Sequence, residues 1–251
     1  MADPALFPYA LALADDALVL GHRLSEWSGK APSLEADIAL SNLGLDLIGQ
    51  ARLFYQFAAR VENKGRDEDK LAYFRDAREF RNVQLVELPR GDFAFTMARQ
   101  LVVSANMHPF YAAMAQSSER ELAEIAAKAV KEMAYHVRHS SEWVIRLGDG
   151  TGESRRRMIA ALDAIWPFTS ELFEMDADEH ALVAAGIAPD RALIKPVWDM
   201  TIDRVLAEAK LERPEIEELK SGGRAGHRTA HLTEMLAEMQ SLARAHPGAV
   251  W

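Results

Sequence analysis

Residues 132 to 139 read Glu-Met-Ala-Tyr-His-Val-Arg-His, and this stretch holds the side chains best suited to chemistry. Glu132 and His136 are four residues apart, so on a helix they share one face. In metal-binding four-helix bundles, a Glu followed three residues later by His presents two ligands to a pair of ions. Here the third position holds Tyr135, and the His comes one residue late. Two more acids could join this pair. Asp15 lies in a first apolar run, and Asp46 lies on a polar line with Asn42 and Gln50.

A di-metal carboxylate bundle takes a carboxylate from each of two helices and Glu-x-x-His from each of two others. Neither Glu-x-x-His nor Asp-x-x-His occurs in this chain, and Gly49 stands where a His would follow Asp46. No Asp or Glu falls between Asp92 and Glu119, where a third long helix is expected. Oxygen-activating iron pairs need several carboxylates to balance their charge. Asp15, Asp46, Glu132, Tyr135 and His136 therefore read as a degenerate metal site or a core polar network, the hydrogen-bonded network being the stronger reading. A buried Asp46 needs a partner, with His136, Tyr135, His22 and Asn42 as candidates. Taken alone, Asp15 reads with His22 and Glu26 as a solvated stripe along the first helix.

Other chemistry is sparse. Gly-x-Gly-x-x-Gly and Walker A sequences are absent. The segment Gly222-Gly-Arg-Ala-Gly226 could offer backbone N–H groups and Arg224 to a phosphate, with His227 and Arg228 beside them. The same residues suit a plain link between helices.

The elements that must position these groups follow from periodicity. A first helix is expected over Pro8–Trp27. A second opens at the N-cap Ser33 and runs through Ile38–Phe57, apolar almost all round and so expected to be buried on every side. Asn63–Asp69 reads as a loop and Phe74–Val83 as a short Arg-rich element. Asp92 caps a third long helix reaching Met114, with a kink at Pro109. A fourth runs from Ser117 to Leu147. A fifth spans Met158–Phe173 with an interruption at Trp166-Pro167, and Asp176–His180 reads as acidic and exposed. Shorter helices follow at Ala181–Ala185, Ile194–Leu211 and Thr229–Ala245, and Trp251 is expected to dock. No strand alternation or repeat is visible. The prediction is all-α: one domain, 1–251, a four-helix bundle with additional C-terminal helices.

Composition bounds the function. The 251 residues carry a formal charge of -9, which argues against non-specific nucleic-acid binding. There is no cysteine, so this chain alone holds no disulfide, zinc thiolate or iron–sulfur cluster. No apolar run reaches the ~18 residues of a membrane span. The start, Met-Ala-Asp-Pro, lacks the pattern of a secretory signal, so a cytoplasmic location is expected.

Several runs together resemble a known family. They are Leu20-Gly-His-Arg-Leu-Ser-Glu-Trp27, Asn42-Leu-Gly-Leu-Asp-Leu-Ile-Gly-Gln-Ala-Arg52, Lys131-Glu-Met-Ala-Tyr-His-Val-Arg138 and Leu236-Ala-Glu-Met-Gln240. Arg75-Asp76, Arg78-Glu79-Phe80 and the final Pro247-Gly-x-x-Trp251 add to them. They are similar to the C subunits of ring-1,2-phenylacetyl-CoA epoxidases, bacterial multicomponent mono-oxygenases. The resemblance implies a ferritin-like fold and a structural, non-catalytic subunit in phenylacetate catabolism. It implies that this chain binds no cofactor. A homologous catalytic A subunit would hold the di-iron centre, and NADPH would supply electrons through a separate reductase subunit. The other epoxidase subunits are implied partners, and a homodimer is expected of the isolated chain. One departure is that Arg228 and Ala230 stand where the family pattern has His and Glu. The alternatives are an autonomous di-iron oxidoreductase and a ferritin-like binding protein.

Overall fold

The structure, a computed structural model, describes residues 3–216 and 218–249. Every regular element in that range is helical. Helices α1 (Leu6–Ser25) and α2 (Leu34–Glu62) pack side by side as one hairpin. Next come α3 (Glu68–Tyr73), α4 (Gln84–Glu87) and then the second hairpin, α5 (Phe93–Met114) with α6 (Arg120–Gly148). Helices α7 (Gly152–Ile165) and α9 (Arg191–Glu208) cover α5 and α6. The short α8 (Ala177–Ala184) lies against α1, and α10 (Ala230–Met239) and α11 (Ser241–Ala245) end the series.

Local sequence explains most boundaries. The hydroxyl of Ser33 accepts the N–H of Ala36 at 3.2 Å, with Glu35 and Asp37 in the first turn of α2. Asp92 caps α5 by accepting Phe95 N–H at 2.9 Å, and Thr151 caps α7 by accepting Ser154 N–H at 3.1 Å. Asn63 ends α2 in the left-handed region at φ 52°. Gly21 sets the approach of α1 to α2, since a Cβ there would meet the Gly44 carbonyl at 3.2 Å.

One apolar core runs through both hairpins. Phe54 of α2 stacks on Tyr111 of α5 with ring centroids 6.0 Å apart. Trp27 donates Nε1–H to Thr96 at 2.9 Å, and Trp198 of α9 donates to the Val102 carbonyl at 2.9 Å. These bonds tie the end of α1 and the middle of α9 to α5.

Several expectations are corrected. The all-round apolar pattern of α2 does not mean burial on every side, because Ile38 and Leu45 are 53% and 65% exposed. Phe74–Val83 holds only a single 3-10 turn, Ala77–Glu79. Helix α7 starts at Gly152, and Trp166-Pro167 ends it in 3-10 turns. Asp176–His180 is exposed as expected except at Glu179, and it opens a helix. Asp176 caps α8, and Glu179 is buried against Arg191 at 2.6 Å. The last helix breaks at Gln240, whose buried amide donates to the Ala72 and Arg75 carbonyls. Trp251 lies outside the described residues.

Candidate functional site

The residue types flagged for chemistry fall into two separate polar clusters. The first lies on the seam between α2 and α6. His136 is fully buried, with Nδ1 3.0 Å from Gln100 Nε2 and Nε2 3.2 Å from Asp46 Oδ2. An amide nitrogen only donates, so Nδ1 accepts and the Nε2–H points at Asp46. One helical turn away, Gln50 donates to Glu132 at 2.8 Å, and Lys128 sits 3.5 Å from the same carboxylate. Asp46 is only partly covered, its side chain being 35% exposed. Behind His136, Ser140 donates to the His136 carbonyl at 2.7 Å and lies 3.4 Å from Ser104 of α5.

Tyr135 is not part of this seam. It neighbours His136 in sequence, so it points about 100° away around the helix. It is exposed, and its ring stacks on His139 at 5.9 Å. Asn42 is exposed as well, and His22 is bonded to neither acid.

Asp15 belongs to the second cluster, and it is no solvated stripe. It is fully buried on α1 and pairs with the Arg75 guanidinium. The Tyr55 hydroxyl at 2.5 Å and the Arg81 N–H at 2.6 Å also donate to it. Burial works against the Arg75 charge, but the Asp15 carboxylate and the Tyr55 oxygen, with their hydrogen bonds, together hold Arg75 above its usual range. Asp16 accepts Val83 N–H at 2.8 Å and pairs with Arg224 at 2.6 Å. Glu87 accepts from Asn82, from Arg228 at 3.2 Å and from Thr229 N–H at 2.7 Å. Glu171 accepts Gln84 N–H at 2.8 Å, and burial pushes its carboxyl up.

These buried acids form a set of anchors. Asp15 and Asp16 hold Arg75, Arg81, Val83 and Arg224 onto α1, while Glu87 and Glu171 tie the segment 82–87 to the loop 221–229. Arg224 and Arg228 therefore turn inward to carboxylates, and a phosphate would have to compete with those pairs. His227 takes part through its backbone, donating to the Gly222 carbonyl and accepting from Gln84. Gly222 has φ 96°, and a Cβ there would meet His227 Nδ1 at 2.5 Å, so the loop is shaped rather than slack. Sequence reasoning missed Asp16, Glu87, Glu171 and Gln100. The adjacent pair Asp15-Asp16 inside an apolar helix was the available signal.

The donor set does not fit a di-iron pair. The seam offers Asp46, Glu132 and His136, and α5 contributes the amide of Gln100 where a carboxylate is needed. Among the described residues no group of three or more His, Asp or Glu is placed to hold a metal ion.

Two long helix hairpins packed around a buried polar seam define a helical bundle of the ferritin-like class. The chain matches, over residues 1–251, the family described as Phenylacetic acid catabolic protein, and it belongs to that family. It is 46% identical over 246 residues to the C subunit of 1,2-phenylacetyl-CoA epoxidase from Escherichia coli (strain K12). The match covers 98% of this chain and 99% of that protein. Among the described residues no helix is long and apolar enough to cross a membrane.

Proposed function

We propose that this chain is the C-type subunit of a 1,2-phenylacetyl-CoA epoxidase, and that it supports a separate catalytic subunit. The observation that carries this reading is the donor set of the α2–α6 seam. Asp46 and Glu132 are bound to an imidazole and an amide, and the amide of Gln100 faces that imidazole from α5. Such a set holds two helices together but cannot balance the charge of two irons. The 46% identity to the C subunit of the Escherichia coli epoxidase supports the substrate and the pathway.

On this reading the di-iron centre sits in a homologous A subunit. Electrons come from NADPH through a separate reductase subunit. The chain works in the cytoplasm within a hetero-oligomer, as one domain of rigid helical surface. The test is to purify it alone and together with a second ferritin-like subunit, and to measure iron by mass spectrometry. Iron should follow the second subunit, and the two should co-purify. About two irons per chain in the isolated protein would overturn the reading.

A further inference from the structure

Arg23, Arg75, Arg191, Arg224 and Arg228 all turn inward, and each faces a carboxylate within 3.2 Å. Arg99 on α5 departs from this pattern. It is fully buried, and among the described residues no Asp or Glu bonds to it. Only its Nη1 is engaged, donating to the Leu88 carbonyl at 2.5 Å and to the Pro89 carbonyl at 3.2 Å. Nε and Nη2 are closed off from solvent and bond to none of the described residues. These two nitrogens form one edge of the guanidinium, the edge that grips an anion with two parallel N–H bonds. The Phe95 ring centroid lies 5.6 Å away, a weak partner for a charge out of water.

The surroundings add positive charge. Arg23 donates from Nη2 to the Glu87 carbonyl at 2.8 Å, so the two guanidiniums hold the consecutive carbonyls of residues 87–89 and stand as neighbours. The buried Nε of Arg23 has no partner among the described residues either. Glu26 is committed to Arg23 Nη1 at 2.6 Å and is 35% exposed. Burial, with the Arg23 charge adding to it and Glu26 opposing, pushes the Arg99 guanidinium down to about 9. Buried charges are ordinarily paired, and unbonded buried donors cost stability. Here two buried cations share one partly exposed acid. We propose that Arg99 binds a single halide ion on its Nε–Nη2 edge, beside Arg23. Full burial leaves room for few atoms, which favours a monatomic ion over a larger anion, and the ion is taken up as the chain folds. It offsets the paired positive charge and fastens the carbonyls that follow α4 between α1 and α5. A water would satisfy the donors without supplying the charge.

The test compares thermal melts of the full-length protein in mixtures of sodium chloride and sodium gluconate at constant ionic strength, gluconate being too large for a buried site. An ion that binds only the folded chain raises the melting temperature by about 3–5 °C for each tenfold rise in its concentration above its dissociation constant. The parent protein should show that rise as chloride replaces gluconate. Arg99→Met removes the charge and the donors while keeping an unbranched apolar side chain, and it should show none. Crystals of the parent protein grown in sodium bromide should carry an anomalous peak at the Nε–Nη2 edge of Arg99, a measurement that stands even where Arg99→Met does not fold. Equal melting temperatures in chloride and gluconate overturn the proposal. So does a chloride-dependent rise that persists in Arg99→Met. A water at the Arg99 edge, with bromide only at exposed side chains, overturns it as well and marks those ions as adventitious.

Discussion

Arg75 directs both terminal nitrogens of its guanidinium at the carboxylate of Asp15, sixty residues earlier in the chain, with both side chains out of water. The Arg75 plane also lies 4.2 Å from the Phe80 ring centroid, so its faces are packed as well as its edges. The pair fixes the segment after α3 onto the middle of α1. Taking one partner from such a pair leaves a buried charge uncompensated, at about 3–5 kcal/mol. Asp15→Leu is therefore expected to cut stability to urea by that order. A loss below about 1 kcal/mol would show that the pair is not what holds the segment.

Asp46 should behave differently. It is partly solvated and makes a hydrogen bond to His136. Asp46→Leu is expected to cost only about 1 kcal/mol. His136→Ala removes a fully buried ring bonded on both nitrogens, so it should cost about 2–4 kcal/mol. Thermal melts of the two variants side by side check the order. A reversal would mean that Asp46, and not the imidazole, organises the seam.

The long helices were legible because their signals are local. Ser33 and Asp92 cap where the apolar period begins, and Glu132 with His136 falls on one seam by four-residue spacing alone. The anchors were not legible, because Arg75, Arg224 and Arg228 come from irregular segments with no period that points at α1. The apolar circumference of α2 was legible, but its meaning was not. A pattern says that a face avoids water, and it does not say which chain covers it, as Leu45 shows. Tyr135 illustrates the opposite limit, since adjacency to His136 in sequence places it on another side of the helix.

The loop 221–229 should release when Arg228 is removed. Glu87 is fully buried, and among the described residues Arg228 is its cationic partner, at 3.2 Å. Arg228→Ala is expected to cost about 3 kcal/mol or more and to open the loop to limited proteolysis near Gly226. Glu87→Leu combined with Arg228→Met removes both charges at once and should recover most of that loss. A double variant as unstable as Arg228→Ala alone would place the anchoring in the backbone contacts instead.

His22 supplies a pH test whose sign is fixed by burial. Burial holds its imidazole below the usual 6.5, with Glu26 opposing the shift and Arg23 adding to it. The unfolded chain takes up a proton near 6.5, and the folded chain does so only at lower pH. Between those two values the unfolded state binds more protons, so stability falls as pH falls. Above about pH 7 the imidazole is neutral in both states and contributes no slope. The stability advantage of the parent protein over His22→Gln should therefore be constant above about pH 7 and shrink from about pH 6.5 to 5. His108 and His139, whose pKa values burial also lowers, remain in both proteins and cancel in the difference. Urea titrations at a series of pH values give the comparison directly. A difference that stays flat across that range would show that His22 is as well solvated in the folded chain as in the unfolded one, and one that grows as the solution is acidified would show that the folded chain favours the charged imidazole.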